Sequence, residues 1–151
     1  MSGGRAQRAE ALFKSGANCS QAVVAAFADR YGLDEPTAMR VACGLGGGLG
    51  RLRETCGAVS GMAVLAGLQY GNAEPADAVG KKRTYEAVQR MAAEFRERYG
   101  SLTCRVLLGL ERPEGDPSPA ARDEAYYAKR PCAEYVAAAA EIAERVLAEP
   151  A

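Results

Sequence analysis

Thr55-Cys56-Gly57-Ala58-Val59-Ser60-Gly61-Met62-Ala63-Val64-Leu65-Ala66-Gly67-Leu68 is the stretch on which the fold turns. The run from Cys56 to Ala73 is the longest without a charge, and Ser60, Gln69, Asn72 and four glycines interrupt it. Its apolar part is short for a bilayer span, which needs about 20 consecutive apolar residues. A helix drawn over residues 56–68 is apolar on every face and therefore belongs at the centre of a packed bundle. Thr55, just before it, is a competent N-cap.

The flanking sequence also reads as helix, with no stretch that alternates apolar and polar residues over a strand length. Ser2 to Ser15 forms a first helix closed by Gly16. Asn18 caps a second that runs to Tyr31 before Gly32, with Cys19, Ala22, Val23, Ala26 and Phe27 on one stripe. Asp34 caps a third, with Pro36 in its first turn, reaching about Ala42. A glycine-rich stretch, Gly44 to Gly50, leads to the central helix. A long fifth helix runs from about Pro75 to Tyr99, with Tyr85, Val88, Ala92, Phe95 and Tyr99 on one side. Ser101 or Thr103 caps a short sixth from Cys104 to about Leu110. Pro113 to Pro119 is a loop, and a short helical piece is expected from Ala120 to Ala128. Pro131 opens the last helix, which carries Tyr135, Val136, Ala139, Ile142, Ala143, Val146 and Leu147 on one face. The expected fold is all-α, one domain over residues 1–151, a bundle of about six to eight helices around the buried helix at 56–68.

The composition narrows the function. The chain has 151 residues, 48% hydrophobic and 25% charged, with 19 basic residues against 19 acidic. A net charge of zero argues against nucleic acid or an anionic membrane surface as the main partner. There is no histidine. No Ser-His-Asp triad, Cys-His dyad or His-containing metal site can be built from the chain alone, so any metal must be held by thiolates or carboxylates. Met1 to Glu10 is polar and shows no secretory signal. A cytoplasmic location is expected, where thiols stay reduced and cysteines that act together bind metal or do redox chemistry.

The chain has five cysteines, too few for a disulfide scaffold. Four share one setting: Asn18-Cys19, Thr55-Cys56, Thr103-Cys104 and Pro131-Cys132 each place a cysteine at the start of an expected helix. The first turn of a helix offers unpaired N–H groups and the positive end of the macrodipole, which favour a thiolate. The same donors can bond to cluster sulfides or ligand sulfurs. The four lie 37, 48 and 28 residues apart, with no CxxC pair, which excludes a zinc ribbon or a thioredoxin motif. The competing reading is that each is simply a small buried hydrophobe. Cys43 falls at a helix C-terminus, where the dipole disfavours a thiolate, and is expected in the plain core. Cys56 is expected to be the most acidic thiol, because it starts the central helix after Thr55 and follows Arg51 and Arg53.

Cys56-Gly57-Ala58-Val59-Ser60-Gly61 reads CGAxxG. With Asn18-Cys19-Ser20-Gln21 upstream and Cys104 and Cys132 downstream, the chain resembles the C-GCAxxG-C-C family, whose members are described as redox-active. The resemblance extends from Asn18 to Cys132. Thr55 stands where the family's label places a glycine. The resemblance implies that Cys19, Cys56, Cys104 and Cys132 are the family's four cysteines, as redox thiols or metal and cofactor ligands, and that Cys43 is extra. The family is also similar to the C-terminal part of the split-Soret cytochromes, where a four-cysteine iron–sulfur centre is held. Their haem part is not implied, since CxxCH and histidine are missing here.

Three chemistries stand open: an iron–sulfur cluster on the four cysteines, a cofactor-free dithiol pair cycling through a disulfide, and a structural all-Cys zinc site on a non-catalytic binding module. No motif identifies a substrate, so an oxidoreductase and a plain electron carrier are both open. The expected partners are a redox partner of unidentified chemistry and, as one assembly left open, a second copy in a homodimer. Neither nucleic acid nor membrane insertion is expected. Gly44 to Gly50 offers backbone N–H groups to an anion or cluster, or is merely a flexible connection. Gly57 and Gly61, one turn apart, suit close backbone approach by a neighbour. Arg51 and Arg53 read most simply as a solvated loop. Lys81-Lys82-Arg83 and the charges from Glu94 to Arg98 read as the wet side of the long helix.

Overall fold

A computed structural model describes residues 2–110, 116–124, 126 and 130–148. Among the described residues stand seven α-helices: α1 (Ser2–Lys14), α2 (Cys19–Ala25), α3 (Glu35–Cys43), α4 (Gly57–Tyr70), α5 (Ala78–Tyr99), α6 (Cys104–Leu107) and α7 (Cys132–Ala148). A 3₁₀ turn, Ala28–Tyr31, follows α2. Part of the 113–119 loop and of the helical piece at 120–128 lies outside the described residues; residues 120–122 are not helical. Among the described residues no helix is long and apolar enough to cross a membrane.

The bundle is organised around three helices that all touch one another: α2, α4 and α7. Helix α7 also packs on α1 and α5, α2 on α1 and α3, and α4 on α5. Every residue of the expected α7 face is buried, from Tyr135 to Leu147. Phe13, Val23, Phe27, Met62, Leu65, Met91, Phe95 and Ile142 fill the space between the helices. The α4 backbone meets α2 closely, as its glycine spacing suggests. A Cβ on Gly61 would stand 2.9 Å from Val23 Cβ, and one on Gly57 would stand 3.2 Å from Cys19 Cβ. On α5 the buried stripe is Gly80, Ala87, Met91 and Phe95, while Tyr85, expected on the apolar side, is exposed. The charged side of α5 faces water. Arg98 and Glu94 pair with Glu141 and Arg145 of α7 at distances of 3.2 and 3.0 Å.

Three helix boundaries differ from the sequence reading, each for a local reason. The second helix does not run unbroken to Tyr31. The Ala26 carbonyl accepts a hydrogen bond from Arg5 Nη1 (2.8 Å), and Arg30 N turns to the Phe27 carbonyl (3.0 Å), tightening the chain into the 3₁₀ turn. Helix α5 starts at Ala78 because the Asp77 carboxylate accepts from Gly80 N at 3.1 Å. Helix α6 stops at Leu107, with Gly109 left-handed two residues on.

Candidate functional site

The segments leading into α4 and α6 are tied side by side. Thr55 and Thr103 form an isolated antiparallel bridge. Cys56 N donates to the Leu102 carbonyl (2.7 Å) and Cys104 N to the Glu54 carbonyl (2.6 Å). Thr55 is therefore not the cap; Cys56 itself occupies the N-cap position of α4, with no side-chain capping bond. Cys19 opens α2 behind a capping box, in which the Asn18 side chain accepts from Gln21 N and Gln21 Oε1 accepts from Asn18 N. Asn18 Nδ2 also donates to the Cys43 carbonyl (3.0 Å), which fixes the end of α3 against the start of α2. Cys132 is the first residue of α7.

Cys19, Cys56, Cys104 and Cys132 line one cavity of about 60 Å³. A cavity of this size has room for about four waters. Three guanidinium-bearing residues, Arg53, Arg122 and Arg130, line it as well. Cys43 lies elsewhere and is exposed, which overturns its expected place in the core. The buried stripe of α3 is Ala38 and Ala42, one helical turn apart, and Cys43 falls off it.

Arg53 is not in a solvated loop, as its setting in the sequence suggests. It is 4% exposed, and its Nη1 donates to Cys104 Sγ at 3.7 Å. The glycine-rich segment that delivers it is unusual. Gly47, Gly48, Leu49, Gly50 and Arg51 all have φ between +56° and +74°, and Arg53 has φ +62°. Left-handed backbone over consecutive residues disfavours any side chain, by about 1–2 kcal/mol at each non-glycine position. The N–H groups of Leu49, Gly50, Arg51, Arg53 and Glu54 bond to the carbonyls of Leu45, Gly44, Gly46, Gly47 and Gly48. The segment is thus wound on itself, while Gly47 and Gly48, whose N–H groups are not among these bonds, line the cavity. It is a wound plug pressed on Cys104, so close that a Cβ on Gly48 would stand 2.7 Å from Cys104 Cβ.

The four thiols differ in acidity. The neighbouring Cys132 sulfur, with burial, holds Cys19 protonated well above its usual range. The neighbouring Cys19, helped by Arg130, Arg53 and Arg122 against burial, brings Cys132 down to about 7. Burial pushes Cys56 up to about 12, opposed by the nearby Ala58 and Val59 N–H groups. Burial also raises Cys104, opposed by the Arg53 hydrogen bond. The most acidic thiol is Cys132, not Cys56: desolvation outweighs the helix-start effect at the better-buried residue. Arg122 further anchors the site. It donates to the Phe13 and Ala17 carbonyls (2.7 and 2.9 Å) and lies over the Phe13 ring, 4.2 Å from its centroid. Nothing in the sequence marked Arg122; Arg130, two residues before Cys132, was at least adjacent to a marked cysteine.

A family model described as "Putative redox-active protein (C_GCAxxG_C_C)" matches residues 17–146. The chain belongs to this redox-active family. Comparisons with curated proteins and with solved structures give no match. The matched span holds all four cavity cysteines and the three arginines around them.

The donor set suits an iron–sulfur cluster. Such clusters are held by four cysteine thiolates, and four thiols from four separate elements line this cavity. The ligated group is anionic, and three arginines line the same space. A single zinc ion would draw its sulfurs to about 3.8 Å from one another, from tetrahedral Zn–S bonds of about 2.3 Å. Among the described residues no group of three or more Cys, Asp or Glu stands close enough to hold one metal ion.

Proposed function

We propose that this family member is an electron-transfer protein whose working centre is an iron–sulfur cluster held by Cys19, Cys56, Cys104 and Cys132. The observation that carries this reading is the cavity itself: a space lined by four thiols and three arginines. When bound, a cluster supplies reversible one-electron chemistry. The chain's own part is to hold the sulfurs, to cover them with the Gly44–Arg53 segment, and to balance their charge with Arg53, Arg122 and Arg130. The partner implied is a one-electron carrier, and the compartment is a reducing one such as the cytoplasm.

Anaerobic purification followed by visible absorption, iron and acid-labile sulfide analysis tests the reading. Iron and sulfide in equal amounts, lost together when Cys56 or Cys104 becomes Ser, are expected. A colourless folded protein without iron, from cells able to build clusters, would refute it. One observation favours a second reading, thiol–disulfide chemistry: Cys19 and Cys132 are neighbours in the cavity, the first thiol raised and the second lowered to about 7. In that case Cys19 and Cys132 form a disulfide in the iron-free chain, and mass spectrometry of the oxidised protein would find that pair.

A further inference from the structure

Arg53 combines three features that are individually uncommon. A guanidinium-bearing residue is buried to 4% exposure, its donor group reaches a cysteine sulfur at 3.7 Å, and its backbone holds a left-handed φ of +62° that disfavours any side chain. A glycine would relieve that backbone but would carry no guanidinium. Strained, non-glycine left-handed residues persist where their surroundings over-determine them, and they gather at functional sites. The surroundings here are specific: Arg53 N donates to the Gly47 carbonyl, Arg105 N donates to the Arg53 carbonyl, and Gly48 packs under the Arg53 Cα. Arg51 is an internal comparison. It shares the segment and the left-handed φ, +66°, but its Nη1 reaches outward to the Asp116 carbonyl at 3.1 Å.

We infer that Arg53 is a positioning residue that sets the reduction potential of the four-cysteine centre, by fixing a permanent positive charge and an N–H donor against the Cys104 sulfur. The inference rests on the redox reading above. A guanidinium does not lose its proton in a protein, so the charge is constant. One-electron reduction by a one-electron carrier adds one electron, and hence one negative charge, to the centre; no bond breaks and no proton moves. A fixed cation bonded to a ligand sulfur favours the more negative state, so it raises the potential. Because the group is buried, salt screens it little.

The test is a redox titration of the anaerobically purified full chain, followed by visible absorption, for wild type, R53Q, R53G, R53K and R51Q. R53Q keeps most of the side-chain volume; R53G relieves the left-handed backbone, so the two neutral variants carry opposite folding risks. Each neutral variant should lower the reduced-to-oxidised ratio at fixed ambient potential by about tenfold, equivalent to about 59 mV for a one-electron couple. R53K should recover most of that ratio, and R51Q should match wild type. The shift should persist at high ionic strength. An unchanged midpoint in both neutral variants at full iron occupancy overturns the proposal, as does an equal shift in R51Q or R53K. Wild-type protein without iron would defeat the cluster reading alone. The variants are then compared for thiol–disulfide equilibrium in glutathione buffers, where equal ratios overturn Arg53's role and a lowered reduced fraction supports it.

Discussion

Replacing Gly48 by Ala tests whether the glycine-rich segment is a plug on the cysteine site or a passive loop. Two penalties add. The residue has φ +74°, where an added side chain is disfavoured by about 1–2 kcal/mol. The new methyl would also stand 2.7 Å from Cys104 Cβ, Arg53 Cα and Glu54 N, none of which is the free end of a flexible side chain. Overpacking of that kind removes about 1–3 kcal/mol, giving a total loss of about 2–5 kcal/mol. Gly50→Ala is the control. It has φ +56° and nothing within 4 Å of the added carbon, so only the backbone penalty of about 1–2 kcal/mol applies. Urea unfolding followed by circular dichroism, with both variants in the same metal state, measures the difference. At about 2–4 °C per kcal/mol for a chain of this size, the Gly48 variant should also melt well below the Gly50 variant. Equal losses in the two variants would refute the idea that the segment bears on Cys104.

Gly61→Ala should destabilise the fold by about 1–3 kcal/mol through the Val23 contact at 2.9 Å, and the additional change Val23→Ala should recover part of the loss. Additive losses in a double-mutant cycle would contradict that contact. Asn18→Ala should remove about 1–2 kcal/mol with the capping box, in thermal or urea unfolding, with Cys19 alkylated faster in the native protein. In reduced, metal-free protein Cys132 should be alkylated first near neutral pH, and Cys19→Ala should raise its apparent pKa from about 7. The same groups set a pH optimum for stability. The contribution of Cys132, whose folded pKa lies below the usual thiol value of 9.0, is present above 9 and lost as the pH falls through about 7. Cys19 and Cys56 are raised, so their contributions are present below 9 and lost as the pH rises toward their folded values, about 12 for Cys56. Urea midpoints should rise between pH 7 and about 9 and decline above it; a monotonic profile would contradict the assignments.

Much of the bundle is legible in the chain because helix stops and starts are local chemistry. Gly32, Gly100, Asp34 and Asn18 end or begin helices by their own backbone and side-chain preferences, and the structure uses each of them so. The α7 face is equally readable, since its apolar spacing admits one periodicity. The break after α2 is not, because it depends on Arg5 reaching the Ala26 carbonyl from another helix. The shared start of four helices by cysteine is a local pattern; that the four line one cavity depends on the Thr55–Thr103 bridge and on packing across the chain. Arg53 could not be recognised as buried from its neighbours, since an arginine between Leu52 and Glu54, just past a glycine run, is ordinarily solvated. The signal at Cys43 was present and misread: Ala38 and Ala42 already define the buried stripe of α3, and the next residue turns about 100° away from it. Ranking Cys56 as the most acidic thiol weighed the helix start, which is visible in sequence, above burial, which is not.

The four cysteines come from four separate elements, the first at the start of α2 and the last at the start of α7. This has a consequence for biosynthesis. A CxxC pair can capture a metal as soon as a few residues leave the ribosome, but this arrangement cannot. At roughly 5–20 residues per second, Cys19 waits on the order of ten seconds before Cys132 is made. During that interval the early thiols belong to a chain that has no centre to offer, so their survival depends on the reducing power of the surroundings. On the proposed cluster reading, loading is thereby deferred until α7 has docked, and a filled site would report that the last helix is in place.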